Sequence, residues 1–235
     1  MAVDLAQKAQ NFMNRGRQAL ESRRYELAVD MLMEAVDAAP DVLEARRLLR
    51  TAQVLNFRTN GKVGFGAKFG YMMDRQKIMG FVKKGEGVKA MAEAEKLLCK
   101  NPLDGDNIEA AVKAAEAAGK PDHAAISVEA AYEAGNKDPE LLMRVATYYQ
   151  MSKNWGKARD AYRKLSEIKP GDQQIMQLLK NCEAQATMNS GWVETAGKKG
   201  GFQNLIANKE QAKKLDQANK AVVTGDDAEA LIAEK

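Results

Sequence analysis

Histidine, cysteine, proline and aromatic residues are all scarce in this chain of 235 residues. The single histidine, His123, leaves no partner for a His-rich metal site. It follows Pro121-Asp122 at a predicted helix start and reads as an exposed turn residue rather than a catalyst. Two cysteines, Cys99 and Cys182, make no disulfide framework and lack the C-x-x-C spacing of a zinc site. On predicted helices they read as small buried hydrophobes in a reducing compartment. The glycines form no phosphate cradle: Phe69 stands where G-x-G-x-x-G needs its last glycine after Gly64 and Gly66, and no G-K-[ST] follows. No apolar run reaches about 18 residues, so no spanning helix is expected. The opening stretch MAVDLAQKAQNFMNRG has no apolar signal-peptide core. These absences predict no enzyme, no cofactor, no metal, no transmembrane segment and a cytoplasmic location.

What the chain does have is helix-forming composition. Hydrophobic residues make up 45% and charged residues 29%, which argues against wholesale disorder. Five prolines and 6% aromatics leave Ala, Glu, Lys, Leu and Met to dominate. The net charge of +4 is unevenly spread. Residues 58–89 hold eight Lys or Arg against two acids, while the remainder is slightly acidic. A basic segment on an acidic body points to a partner at that segment.

A pattern recurs along the chain. Gly16, Tyr25, Ala28, Leu32, Ala35 and Pro40 are separated by steps of 9, 3, 4, 3 and 5. Ala146, Trp155, Ala158, Tyr162, Leu165 and Pro170 keep those steps, as do Ile78, Gly87, Ala90, Ala94, Leu97 and Pro102. Val112, Pro121, Ala124, Val128 and Ala131 make a fourth copy, with Asn136 in the proline position. Small alanines let two antiparallel helices approach, and the prolines stop each second helix. One such unit cannot bury its apolar face; stacking does.

On these residues the chain resembles the tetratricopeptide repeat family. The resemblance implies an all-α fold: a right-handed superhelix of antiparallel helix pairs, closed by a capping helix and followed by a helical tail. Its repeats fall at about 9–42, 43–70, 71–104, 105–138 and 139–172, with a cap at 173–190. The second repeat is degenerate, because Ala28 to Ala90 is six residues short of two periods. Its first helix, LEARRLLRTAQVLNF, is amphipathic. In place of a second helix stands TNGKVGFGAKFG, which glycine makes a poor helix. Residues 58–70 are therefore predicted to be an irregular arm, which either binds a partner or packs Phe65, Phe69 and Tyr71, with Phe81, into the place of the missing helix. From 62 to 71, apolar and basic or glycine residues alternate as in an extended strand.

Partner-binding candidates follow from this arm and from the groove that the resemblance implies. In the arm and the segment after it they are Lys62, Phe65, Lys68, Phe69, Tyr71, Arg75, Lys83 and Lys84. The first helix of each tetratricopeptide unit lines a concave face, which adds Arg17, Arg47 and Lys113. Met13 and Arg17 stand where some family members carry a carboxylate-gripping lysine and asparagine, so that clamp is not carried over. The arginines would favour an acidic peptide, or be neutralised locally by Glu44, Glu109 and Glu140.

The leading expectation is a non-enzymatic adaptor, a scaffold binding a protein partner by groove and arm. The alternative is nucleic-acid or ribosome association, with RNA phosphates at the basic 58–89 segment. Residues 191–235 are expected to form a flexible joint and a polar helical extension, roughly 202–223, through which copies could self-associate.

Overall fold

The computed structural model describes residues 2–61, 64 and 66–196. Among the described residues it has ten α-helices and no strand. Helices α1 (Ala2–Glu21) and α2 (Tyr25–Ala38) pair, and α3 (Leu43–Asn60) follows without a partner of its own. Three pairs come next: α4 (Ala67–Lys83) with α5 (Gly87–Lys100), α6 (Gly105–Ala117) with α7 (Pro121–Glu133), and α8 (Pro139–Met151) with α9 (Trp155–Ile168). α10 (Gln173–Ala196) ends the described chain. The chain divides into two units, Met1–Glu183 and Ala184–Lys235, and the described part of the second is the end of α10. No helix among the described residues is long and apolar enough to cross a membrane.

The 34-residue register is written into the helix ends. Asp104, Asp138 and Asp172, spaced by 34, accept hydrogen bonds from the first-turn amides of Asn107, Glu140, Gln174 and Ile175. Each carboxylate satisfies amides that a helix start leaves without an internal partner. The turn inside each pair also repeats. The amides of Arg24, Glu86, Lys120 and Asn154 reach back five residues to the carbonyls of Ala19, Phe81, Ala115 and Tyr149. This closure forces the preceding residue into the left-handed region. Gly85 and Gly119 adopt it freely, while Arg23 and Lys153 adopt it at φ 56° and 59°. Gly87 serves close approach instead: a Cβ there would lie 2.4 Å from the Ala118 nitrogen, so only glycine lets α5 meet the end of α6.

Burial separates two apolar clusters. Met13, Leu32, Val36 and Leu49 belong to one, built by α1, α2 and α3. Tyr71, Ile78, Leu97, Val112, Tyr149 and Leu165 belong to the other, built from α4 onward. The seam between them is polar. α3 lies against α5 and α7, and its face there carries Arg46, Arg50 and Gln53, all buried. Both guanidinium groups hold the buried carboxylate of Glu95 on α5, with one Arg50 Nη2–Glu95 Oε1 hydrogen bond at 2.9 Å. Arg50 also donates to Gln53 at 2.8 Å and to the Ser127 hydroxyl on α7 at 3.3 Å. Gln53 in turn donates to the Cys99 sulfur at 3.2 Å. Burial alone would raise the Glu95 carboxyl, but the two guanidinium groups override it and hold it down to about 2.

The structure differs from the sequence expectations at three places. Residues 58–60 finish α3 and 67–71 begin α4, so the alternation at 67–71 is not that of a strand. Only residues 61–66 lie between the two helices. Gly70 and Gly80 do not break α4 because both face open space, where a missing side chain costs only about 1 kcal/mol each. His123, expected in an exposed turn, is buried on α7. Its Nε2 faces the Pro40 carbonyl at 3.1 Å. A carbonyl only accepts, so Nε2 carries the proton. Finally, α10 continues through Gly191, where a flexible joint was expected to start. The predicted extension at 202–223 and the self-association through it lie outside the described residues.

Candidate functional site

The sequence-derived candidates separate into those the fold consumes and those it leaves exposed. Arg47 is consumed: it pairs with Glu129 of α7 at 2.6 Å and donates to the Tyr149 hydroxyl of α8 at 2.8 Å. Arg75 is consumed too, facing Asp104 at 3.4 Å and donating to Asn107 at 2.8 Å. Arg17 pairs with Glu44 at 3.1 Å on the surface. Tyr71, expected on the binding arm, is a core residue, because the helical start of α4 turns it inward. Lys113 is exposed on α6. Lys62 and Phe65 lie outside the described residues.

Other cations of the basic segment are also engaged. Arg58 donates to the Ala134 carbonyl at 2.6 Å, Lys77 pairs with Glu93 at 2.7 Å and Lys89 with Glu86 at 3.2 Å. Hydrogen bonds from Lys77 and Lys96 pull the Glu93 carboxyl below its usual range. Lys68, Lys83 and Lys84 are exposed on α4 or at its end. Among the described residues they form no ion pair within 4 Å.

These three lysines bracket an apolar stripe. Phe69 is 64% exposed, Met73 50% and Met72 39%. Spacings of three and four put them on one side of the helix, and exposed Gln76 continues the row. α4 buries only Tyr71 and Ile78, whereas α6 buries six residues and α7 seven. The cause is the broken repeat. Elsewhere a first helix is covered by the second helix before it: α2 packs on α3, α5 on α6 and α7 on α8. α4 has no such predecessor, because α3 comes before it and lies against α5 and α7.

Met72 and Met73 were not singled out by the sequence reading, although their i+3 and i+4 spacing from Phe69 was visible there. The buried polar set of Arg46, Arg50, Gln53 and Glu95 was also missed. Its trace in the sequence is a polar row at 46, 50 and 53 beside the apolar row of Ala45, Leu49 and Ala52.

An open cavity of about 440 Å³ lies between α7, α8 and α9. Its charges are mixed, with Glu133, Asp160 and Glu167 facing Lys157 and Lys164, and Glu129 on its wall is held by Arg47. Among the described residues no group of three His, Cys, Asp or Glu side chains is placed to hold a metal. Burial pushes the thiols of Cys99 and Cys182 up, away from the reactive thiolate.

His123 gives the seam a pH dependence. Burial, then the charge of Arg46, lowers its affinity for a proton, with Lys120 adding to the effect and Glu95 opposing it. Below about pH 6.5 the unfolded chain takes up a proton that the folded chain resists, so stability falls as pH drops from there. The expected slope is at most about 1.4 kcal/mol per pH unit for one proton. In urea titrations between pH 7 and 5, His123→Gln should flatten it; an unchanged slope would place the titration elsewhere.

The described chain is an all-α array of antiparallel helix pairs on a 34-residue period, the architecture that the tetratricopeptide resemblance implies. No family model and no curated protein matches the chain. Among solved structures it is similar to the MamA protein, at 14% identity and a TM-score of 0.36, covering 88% of this chain and 94% of that one. A thermophilic TPR protein of Thermus thermophilus aligns at 20% identity and a TM-score of 0.35, covering 75% and 99% respectively. PilF of Pseudomonas aeruginosa aligns at 13% identity and a TM-score of 0.32, covering 87% and 99%.

Proposed function

We propose that this chain is a non-enzymatic adaptor that holds a protein partner on the exposed face of α4. One observation carries the reading: Phe69, Met72 and Met73 lie bare between Lys68 and the Lys83-Lys84 pair, where the repeat breaks. Exposed aromatic and methionine side chains give contact area that a solvated surface does not need. The groove face contributes less, because Arg17, Arg47 and Arg75 are already paired.

Binding of nucleic acid through residues 58–89 is the second reading, favoured by the unpaired lysines at 68, 83 and 84. It is weakened by the engagement of Arg58, Arg75, Lys77 and Lys89 within the fold. Affinity capture from a native lysate at about 0.1 M and about 0.5 M salt separates the two, since phosphate contacts weaken steeply with salt. The adaptor reading expects the same protein bound at both concentrations. Nucleic acid alone, lost at the higher salt, would replace it.

A further inference from the structure

Three polar atoms of the buried seam are engaged by no group of the protein. Among the described residues, Arg46 Nε, Arg50 Nε and His123 Nδ1 are buried without a hydrogen-bond partner. Their residues are only 3%, 4% and 4% exposed, so the surface solvent does not supply one. An unpaired polar group at such depth is costly, and buried water is the usual remedy.

Shared partners draw the three residues together. The Pro40 carbonyl accepts from Arg46 Nη2 at 3.3 Å and faces His123 Nε2 at 3.1 Å. Glu95 receives both guanidinium groups. Arg50 Nη2 donates to the Ser127 hydroxyl, which donates in turn to the His123 carbonyl at 3.2 Å. Arg46, Arg50, Glu95, His123 and Ser127 all line one cavity of about 10 Å³. That is roughly the space one water needs. A larger hollow of about 80 Å³ also has Arg46 and Glu95 on its wall and includes the exposed Val88, which gives solvent a way in.

Donors and acceptors decide the class of occupant. Each arginine Nε–H can only donate, whereas His123 Nδ1 accepts, because Nε2 carries the ring proton. Two guanidinium groups repel a cation. An anion would meet the Nδ1 lone pair and the Glu95 carboxylate. A neutral molecule that accepts twice and donates at least once suits all three atoms, and water does so at this size. Its second O–H is left for Glu95 or Ser127 on the same wall.

We infer that this cavity binds one structural water, which accepts from Arg46 Nε and Arg50 Nε and donates to His123 Nδ1. The water ties α3 to α7 at the boundary of the two apolar clusters.

Crystals of the full chain grown at neutral pH in sodium bromide test this, because bromine is located by its anomalous scattering. The expected result is one oxygen peak about 2.7–3.2 Å from all three nitrogens, with no bromine signal there. A bromine peak would make the cavity a halide site and overturn the proposal. A cavity without density, or an oxygen that reaches fewer than the three nitrogens, would overturn it too. In solution, NMR cross-relaxation from water to the Nε–H protons of Arg46 and Arg50 should carry the sign of a long-lived bound molecule. Its absence at both arginines would equally count against the site.

Discussion

Glu95→Ala is expected to lower stability by about 3–5 kcal/mol, the cost of breaking a buried ion pair from one side. Among the described residues the carboxylate is the only one paired with Arg46 and Arg50, and all three side chains are almost wholly buried. Its removal strands two cations in a seam where Arg46 Nε, Arg50 Nε and His123 Nδ1 already have no hydrogen-bond partner in the protein. Against the 5–15 kcal/mol that holds a typical domain, such a loss brings the fold close to its threshold. Urea unfolding followed by circular dichroism measures it. Replacing all three together, as Arg46→Met, Arg50→Leu and Glu95→Leu, should recover most of the loss, because no buried charge then remains unpaired. A Glu95→Ala variant within about 1 kcal/mol of wild type would deny the seam its proposed bond. The same carboxylate sets an acid limit. Its folded value of about 2 lies below the ordinary glutamate range, so its contribution is complete above about pH 4.5 and is lost as pH falls toward 2.

The second large effect concerns binding. Phe69→Ser combined with Met73→Ser should reduce partner affinity by about 30-fold or more, the equivalent of a central interface anchor worth at least about 2 kcal/mol. Both side chains are at least half exposed, so stability should move by only about 0.5 kcal/mol. Surface plasmon resonance with the captured partner gives the affinity, and helical circular dichroism verifies the fold. Loss of helix in the double variant would mean that the stripe is core; unchanged affinity would mean that the partner binds elsewhere.

Much of the scaffold is legible from spacing alone. The steps from Ile78 to Pro102 and from Ala146 to Pro170 place α5 and α9, because buried small residues and helix stops are local demands on the sequence. The six-residue shortfall likewise locates the break. The orientation of α3 is not legible: Arg46, Arg50 and Gln53 look like a solvated stripe until Glu95, more than forty residues away, is seen to neutralise them. The start of α4 is hidden for another reason. Glycine-rich sequence argues against a helix, yet Gly70 and Gly80 sit where no packing partner is lost. Alternation at residues 67–71 therefore mimicked a strand, which would put Phe69 and Tyr71 on one side, whereas the helix buries Tyr71 and exposes Phe69. The exposed stripe became visible only once the helix turned Phe69, Met72 and Met73 to one side.

Hydrogen exchange of the full chain, with and without the captured partner, tests most directly whether the break in the repeat is the docking place. The account predicts that added protection falls on α4, residues 67–83, with α6 and α8 little changed. Protection confined to α6 and α8, leaving α4 as it was, would contradict it and return the binding site to the groove.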